Sequence, residues 1–474
     1  MKKIKFLGLA ALTSAAALSL VACGNTTTPT TTTQTSGAPT EPEPTDKVIK
    51  FYNTAGDNLQ TQIQEAAASF AKKYPGWSVE STQVGGYDDV YKKVVSDLSA
   101  GTTPDIAYCY SDHVALYLTS SSVVDLTKYI NSTDSVKFHN DKHEYVTVDA
   151  KVGYSKSEID DFVGMYYNEG LAKNTYSDYT KYGYNDNSML TLPYSKSTEV
   201  MYYNATALKR LNLEVPTTWD EMWAACKVIK QNYPESTPLC YDSEANWFIN
   251  MCEQNGWDYT SNGSDHYKFN NENTRAFLSM LRENYVKGYI QTQTTYGSYT
   301  SNLFKNGADK GCIFCIGSSA GASHQDPAGA FNWGVASIPS SGEGKMKVIS
   351  QGPSLVMFDN GNEEKARMTF LFMKELLAPA YQAAFSMKSG YNPVRLSSFE
   401  IDDYAEFLED YESDIVAASA KVASELSEAN VFYTSPAFKG SAEARVQVGS
   451  ALVYAIQGTK TAQKALEDAI ANLG

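Results

Sequence analysis

The sequence has few of the residues on which most metalloenzymes and nucleic-acid-binding proteins depend. Only 5 histidines occur in 474 residues, and 54 acidic residues outnumber 39 lysines and arginines, which gives a net charge of −15. Such an acidic balance argues against binding to nucleic acid and against electrostatic docking on anionic lipid. No His-Glu-x-x-His motif, other metal cluster or glycine-rich phosphate loop is found in the sequence, so we expect no metal site and no cofactor.

The cysteines do not follow the spacing of a disulfide framework. Six of them are scattered through the chain after Cys23, mostly among apolar residues, as is typical of small buried side chains. Cys312 and Cys315 form a Cys-x-x-Cys, but their apolar neighbours predict a strand, in which residues three apart point to opposite faces. We therefore expect neither a disulfide nor a redox pair at this place.

The N-terminus is typical of an exported protein. Three lysines precede a short Ala/Leu-rich run, which ends in Leu20-Val21-Ala22-Cys23. This pattern predicts a signal peptide over residues 1–22, and the run is too short for an ordinary transmembrane span. The last four residues resemble the lipobox of bacterial lipoproteins, which implies cleavage before Cys23, lipid on its sulfur and a place on the outer face of the cell membrane. Plain secretion with an incidental cysteine is the alternative.

Residues 23–46 are rich in threonine, proline and glutamate and show no apolar period. Such a segment buries too little surface to offset its ordering entropy, so we predict a disordered tether. From Lys47 the pattern changes to strand, helix, strand, helix and strand, ending near Tyr108, which predicts a parallel sheet with flanking helices. The remaining chain is long enough for two domains. Its 33 tyrosines and 6 tryptophans suit the recognition of sugars and polyols.

Four short motifs, in order, resemble those of extracellular solute-binding protein family 1, the lipoprotein receptors of carbohydrate ABC importers. They are Pro104–Ile106, then Leu192-Pro193 with Met201–Asn204 and Pro216–Glu221, then Leu303-Phe304-x-x-Gly307, and lastly Ser389–Arg395. The resemblance implies a periplasmic-binding-protein-like α/β fold of two lobes, with a ligand in the cleft between them. It also implies a monomer that is not an enzyme and delivers its ligand to the transmembrane subunits of an ABC permease.

The same resemblance implies where the lobes divide. The N-terminal lobe is expected to contain 47–196 plus 350–394, and the C-terminal lobe 197–349 plus 395–474. The chain should cross the hinge near Pro193–Ser197, near Ile349–Pro353 and near Tyr391–Arg395. Closure of such lobes buries the ligand and presents a new surface to a partner.

Within the family, the sequence is most similar to the glycerol-3-phosphate binders. The matching positions imply ligand contacts from a serine-rich turn, a hinge strand, several aromatic residues and a late arginine: Tyr87, Ser197, Trp247, Ser318, Ser319, Gly352, Tyr391 and Arg445. Serine hydroxyls with an arginine suit a phosphate, and aromatic rings with a carboxylate suit a sugar. The alternatives are a surface ion pair of Arg445 with Glu443 and a core position for Trp247.

The sequence departs from this subfamily after the third strand. The subfamily has a carboxylate there that accepts ligand hydroxyls, whereas this chain has Tyr110-Ser111-Asp112. Asp112 serves this role if the loop is shifted by one residue. Otherwise a different polyol or a sugar is favoured as the ligand.

A secreted serine hydrolase is the rival prediction, because Gly317-x-Ser319-x-Gly321 matches a nucleophile turn. That turn requires an acid and then a histidine later in the chain. The only later histidine is His324, and no acid lies between it and Ser319. A passive surface adhesin is a third possibility, which would share the signal and the tether but not the cleft motifs.

Overall fold

The computed structural model describes residues 31–32, 41–434 and 436–474. The predicted signal peptide, Cys23 and most of the predicted tether lie outside these residues. In the described chain the strands are β1 Thr31–Thr32, β2 Val48–Asn53, β3 Ser78–Gln83, β4 Ile106–Cys109, β5 Ser135–His139, β6 Tyr145–Lys151, β7 Leu192–Pro193, β8 Glu199–Asn204, β9 Thr237–Tyr241, β10 Ile290–Thr292, β11 Cys312–Ser318, β12 Trp333–Ser337, β13 Val348–Ile349, β14 Ser354–Met357 and β15 Phe432–Tyr433.

Helices surround these strands. They are α1 Asp57–Lys73, α2 Tyr87–Ala100, α3 Ser111–Tyr117, α4 Thr127–Ile130, α5 Lys156–Asp160, α6 Gly164–Glu169, α7 Ala172–Thr175, α8 Ala205–Leu211, α9 Trp219–Asn232, α10 Glu244–Asn255, α11 Glu272–Val286, α12 Gln293–Tyr296, α13 Ser301–Lys305, α14 Gly307–Lys310, α15 Glu363–Leu376, α16 Pro379–Ser389, α17 Asp402–Glu409, α18 Ile415–Glu428, α19 Ser441–Gln457 and α20 Ala462–Ala471, with short 3₁₀ helices at Leu118–Ser120, Tyr179–Tyr182, Ser319–His324 and Leu396–Ser398. None of the helices in this part of the chain combines the length and the apolar character needed to cross a bilayer.

The first lobe is built on a five-stranded sheet with the order β3-β2-β4-β14-β7. Strands β2, β3 and β4 are parallel, and β14 runs antiparallel to its two neighbours. The apolar face of α1 supplies Ile63 and Phe70 to the core, where Phe70 packs edge-on against Phe372 of α15. The strand–helix–strand pattern predicted after Lys47 is confirmed.

The second lobe is built on another five-stranded sheet, with the order β10-β9-β11-β8-β12. Its β10, β9 and β11 are parallel, while β8 is antiparallel to β11 and β12. Cys312 and Cys315 are both buried and free in β11, as predicted. Trp219 is buried at the start of α9, where Thr218 caps the helix by accepting a hydrogen bond from the backbone N–H of Glu221. The two-lobed α/β fold is therefore confirmed.

Three chain segments meet between the two sheets. The backbone of Lys196 exchanges hydrogen bonds with that of Asn392, and Ser197 does the same with Gln351. The three predicted hinge segments thus lie side by side as short extended strands. Arg395, just beyond the predicted end of the first lobe, still pairs with Asp161 of that lobe at 2.8 Å. The lobe boundaries stay a prediction.

Three parts of the chain differ from the sequence prediction. Residues 41–46 do not belong to a disordered tether: Pro44 is buried, and the Glu41 carboxylate binds the Arg367 guanidinium through two hydrogen bonds. This ion pair helps to offset the conformational entropy that residues 41–46 lose on ordering, and the composition of the segment alone does not reveal it. The stretch from 130 to 190 is polar and weakly periodic, which predicts a loop-rich segment, yet it contains the β5–β6 hairpin. The sequence after α15 predicts two helical segments, whereas the structure has five helices there.

Candidate functional site

A cavity of about 740 Å³, including its open mouth, lies between the two lobes beside the hinge segments. Its walls carry hydroxyls, amides, two cations and two carboxylates. The lining residues are Cys109, Tyr110, Ser111, Asp112, Glu169, Lys196, Tyr259, Thr260, Ile349, Ser350, Gln351, Gly352, Ser354, Thr434, Pro436, Ser441 and Arg445. The carboxyl end of β4 opens into this cavity, as is usual for ligand sites of open α/β sheets.

Asp112 and Arg445 face each other across the cavity. Asp112 stands in the first turn of α3 in the first lobe, and Arg445 stands on α19 in the second. The Arg445 Nε atom lies 3.8 Å from Asp112 Oδ2, and Arg445 Nη2 donates to Asn246 Oδ1 at 2.6 Å. Glu443 instead accepts a hydrogen bond from the Tyr91 hydroxyl at 3.0 Å. The alternative of an Arg445–Glu443 surface pair is therefore excluded.

The electrostatic surroundings keep the Arg445 guanidinium charged. Burial acts to lower the pKa of Arg445, but the nearby Asp112 carboxylate and tyrosine hydroxyls outweigh this effect and raise it. A charged guanidinium presents planar N–H donors that match phosphate and carboxylate oxygens. The cavity thus has a permanent cation on one wall.

A second ion pair forms the hinge wall of the cavity. The Lys196 side chain is only 3% exposed, and its Nζ lies 2.6 Å from Glu169 Oε2. The hydroxyls of Ser350 and Thr434 both donate to Oε1 of the same carboxylate. Sequence analysis missed Lys196 and Glu169. A lone lysine inside the predicted hinge segment Pro193–Ser197 was the one available signal.

Three tyrosines stand together at the first-lobe side. The hydroxyls of Tyr87 and Tyr391 are 3.0 Å apart, and the ring centroids of Tyr87 and Tyr110 are 4.7 Å apart. Burial raises the pKa of all three phenols, so they remain neutral donors near pH 7. Of these three, Tyr110 lines the cavity. Tyr87 packs against the Tyr110 ring, and Tyr391 contacts Tyr87 through its hydroxyl.

The hinge strand supplies a glycine and an amide. Gly352 lines the cavity with φ +90°, and a Cβ there would lie 2.1 Å from the Ser195 carbonyl oxygen. Gln351 also lines the cavity, and its Nε2 has no hydrogen-bond partner among the described residues. Ser197 is buried and does not line the cavity. It contributes indirectly, because its backbone pairs with that of the lining residue Gln351.

The serine-rich turn with Ser318 and Ser319 does not line the cavity, although the sequence predicted ligand contacts there. Ser319 is fully buried, and its hydroxyl accepts a hydrogen bond from the Thr198 backbone N–H at 3.2 Å. The Ser318 hydroxyl accepts from the Ala320 N–H and so caps the short helix that follows. Neither serine lines the cavity. The prediction is corrected because both hydroxyls satisfy backbone donors of the fold.

Trp247 is likewise corrected to a core residue. It is fully buried on α10 and stacks on Tyr241 at 4.8 Å and on Trp219 at 5.9 Å. A buried indole in such a stack contributes through apolar burial and ring packing. Of the predicted site residues, Asp112, Gly352 and Arg445 line the cavity directly.

The chemistry of the cavity suits a small polar solute that carries hydroxyls and negative charge. Carboxylates and carbonyls accept hydrogen bonds from ligand hydroxyls, and the two cations attract an anion. Across the described ranges, no group of three or more histidine, cysteine, aspartate or glutamate side chains has an arrangement that could hold a metal ion.

Sequence comparison connects the chain to known receptors. The family model for bacterial extracellular solute-binding proteins matches residues 65–412. The chain is similar to the sn-glycerol-3-phosphate-binding periplasmic protein UgpB of Yersinia pseudotuberculosis, with 22% identity over 440 residues. That match covers 89% of this chain and 90% of the relative.

Two solved structures share the fold. UgpB of Mycobacterium tuberculosis in complex with glycerophosphocholine matches with a TM-score of 0.71 and 16% identity, over 90% of this chain and 98% of the other. The GacH receptor of Streptomyces glaucescens, solved with acarbose, matches with a TM-score of 0.68 and 15% identity, over 90% and 98% of the two chains. At such identities the likeness establishes the fold alone.

Proposed function

The chain belongs to the family of bacterial extracellular solute-binding proteins, and from this membership we propose that it captures a phosphorylated polyol of the glycerol phosphate class. The observation that carries this choice is the pair of cations, Arg445 and buried Lys196, on the walls of one cavity. A relative over most of the chain is named for binding sn-glycerol 3-phosphate, which supports the same class.

The proposed recognition divides the ligand between the two lobes. Arg445 from the second lobe and Lys196 from the hinge attract the phosphate, while Asp112 and Glu169 accept hydrogen bonds from the polyol hydroxyls. Each cation of the cavity is paired with a carboxylate, so a ligand that carries both a negative charge and several hydroxyls offers each charge a replacement partner. A ligand with charge alone would draw Arg445 away from Asp112 and offer that carboxylate no hydroxyl in exchange.

A neutral oligosaccharide is the second candidate. The nearness of Asp112 to Arg445 favours it, because each charge then has a protein counter-ion and the cavity needs no charged ligand. Tyr110 and Tyr259 also line the cavity and offer rings to a sugar. The two candidates differ in their response to loss of the guanidinium.

The ligand class is tested by calorimetry and thermal shift with sn-glycerol 3-phosphate, glycerol, maltose and inorganic phosphate. We expect sn-glycerol 3-phosphate to raise the melting temperature with a one-to-one stoichiometry, because a ligand that binds only the folded state stabilises it. Glycerol and phosphate alone should each bind far more weakly. Binding of maltose without binding of the phosphate ester would contradict the proposal.

A catalytic role for Ser319 is not proposed, since its hydroxyl is buried against the Thr198 backbone. We propose instead that the loaded receptor delivers its ligand to an ABC permease. Two lobes closed over a ligand offer a composite outer surface that an empty receptor lacks. A binding assay with permease in nanodiscs, with and without sn-glycerol 3-phosphate, measures this dependence; equal binding in both states would contradict it.

Lipid on Cys23 is proposed to hold the receptor at the outer face of the cell membrane. The basis is the Leu20–Cys23 motif, since two or more acyl chains give stable anchoring. Expression of the full chain with a labelled fatty acid tests it: the wild type should carry label in the membrane fraction, and Cys23→Ser should not. A labelled Cys23→Ser product would contradict the assignment.

A further inference from the structure

A chain of side-chain hydrogen bonds runs from the cavity into the interior of the second lobe. Arg445 Nη2 donates to Asn246 Oδ1 at 2.6 Å, and Asn246 Nδ2 donates to Glu199 Oε1 at 2.8 Å. Arg445 lies at the cavity wall, Asn246 is 3% exposed on α10, and Glu199 is 1% exposed at the start of β8. The chain connects a ligand-facing cation to a carboxylate that no ligand can reach.

Glu199 is held by three donors at once. Besides Asn246, the Tyr241 hydroxyl and Asn250 Nδ2 both donate to Oε2, the latter at 2.6 Å. Asn250 in turn accepts from the hydroxyl of Tyr433 on β15, one residue before Thr434 in the cavity wall. Both oxygens of the Glu199 carboxylate therefore accept hydrogen bonds from neighbouring side chains.

An ionised carboxylate can only accept hydrogen bonds, and this property fixes the orientation of Asn246. The amide must direct its NH₂ group at Glu199, which leaves its oxygen directed at Arg445. An apolar or rotated group at 246 would remove the acceptor from the guanidinium. Arg445 would then be free to move towards Asp112, which lies 3.8 Å from its Nε atom.

We propose that Glu199 is a positioning residue, which acts through Asn246 to hold Arg445 at the cavity wall in the orientation that receives the ligand anion. The inference rests on the proposed function for its ligand class. Glu199 lies three residues after Lys196, so the same crossing of the hinge supplies one cation directly and positions the other. Hydrogen bonds to charged groups are among the stronger ones in proteins, so loss of the relay should be measurable.

Several side chains surround the Glu199 carboxylate and affect its pKa. Glu199 is approached by Tyr241 of β9, by Asn246 and Asn250 of α10, by Tyr433 of β15 and by Arg445 of α19. Burial raises the pKa of Glu199 to about 7, against the opposing effects of Tyr241, Asn246, Asn250 and Arg445. Because the ionised carboxylate is the form that orients Asn246, the affinity for the ligand should fall as the pH is lowered through about 7.

The test compares Glu199→Gln with Tyr241→Phe as a matched control. Both variants weaken the same network, but Tyr241→Phe keeps the carboxylate, the ring and the Asn246–Arg445 contact. We expect Glu199→Gln to weaken binding of sn-glycerol 3-phosphate roughly tenfold and Tyr241→Phe to change it less than threefold. Calorimetry across the pH range around 7 should show that the affinity of the wild type falls more steeply on acidification than the affinity of Glu199→Gln. Equal losses in both variants would overturn the proposal.

A readout without ligand separates this proposal from the proposed function. In crystals of the unliganded Asn246→Leu and Glu199→Gln proteins, the guanidinium of Arg445 should leave its wild-type position by more than 1 Å. Unchanged guanidinium coordinates in the variants would overturn the positioning role. If the wild type binds no phosphate ester but the guanidinium moves as expected, the proposed ligand class fails and the positioning role stands.

Discussion

Asp112 Oδ2 lies 3.8 Å from Arg445 Nε, and the two residues belong to different lobes. This distance allows attraction across the cavity but not a short bidentate salt bridge. Under the proposed function, a ligand phosphate therefore replaces Asp112 as the partner of the guanidinium without breaking a tight pair. The attraction between the two side chains also acts between the two lobes, so the cation to which we assign the ligand anion favours closure as well.

Replacement of Arg445 by alanine distinguishes the two candidate ligand classes. We expect Arg445→Ala to weaken binding of sn-glycerol 3-phosphate by about 100-fold, because charged hydrogen bonds of about 1.5–3 kcal/mol are lost in a partly buried site. Isothermal calorimetry measures the change. Lys72→Ala is the control, since Lys72 is an exposed cation on α1. An Arg445→Ala protein that still binds a neutral sugar with wild-type affinity would favour the oligosaccharide alternative.

The buried Lys196–Glu169 pair predicts a stability effect at the hinge. Lys196→Met should lower the free energy of unfolding by about 3–5 kcal/mol, because the Glu169 carboxylate loses its counter-ion in a buried place. Urea denaturation followed by tryptophan fluorescence measures it. The double variant Lys196→Met/Glu169→Gln should recover most of the loss, since no unpaired charge remains. A single variant as stable as the double variant would show that the pair carries no such coupling.

The sequence predicted those parts of the fold that local patterns encode. The period of Leu59, Ile63 and Phe70 predicts α1, and the pairing of Thr218 with Glu221 predicts the start of α9; both are confirmed. The β5–β6 hairpin was missed, because the chain around its strands is polar and weakly periodic. The anchoring of residues 41–46 was missed because it depends on Arg367, more than 300 positions away in the sequence.

The site was harder to predict than the fold, because the direction of each side chain depends on distant contacts. Trp247 lies in an aromatic stack that involves a strand and a helix of the second lobe, which no local pattern reveals. Ser319 lies in a turn whose composition is typical of a ligand site, yet its hydroxyl accepts a hydrogen bond from the Thr198 backbone N–H. Lys196 and Glu169 become a pair only when the hinge brings residues from two segments together.

Gly352 is expected to tolerate no side chain. Its φ of +90° is disfavoured for other residues, and a Cβ would meet the Ser195 carbonyl oxygen at 2.1 Å. Gly352→Ala should therefore lower the melting temperature and weaken ligand binding, since the hinge segments must separate. Gly361→Ala is the matched control, because it has φ +75° and nothing within 4 Å of the added Cβ. Equal effects of the two changes would show that backbone strain alone matters and that the close approach at the hinge does not.

Glu199 predicts a pH dependence of stability with a definite sign. Burial raises its pKa in the folded protein to about 7 from an ordinary value of 4.5, so the folded state binds the proton more tightly than the unfolded state does. The contribution of the protonated Glu199 to the free energy of unfolding is fully present below about pH 4.5. It is lost as the pH rises to about 7, and the loss is at most about 3 kcal/mol. Calorimetric unfolding of wild type and Glu199→Gln across this range measures the difference. The variant should lose less stability with rising pH than the wild type, and parallel curves for the two proteins would contradict the raised pKa.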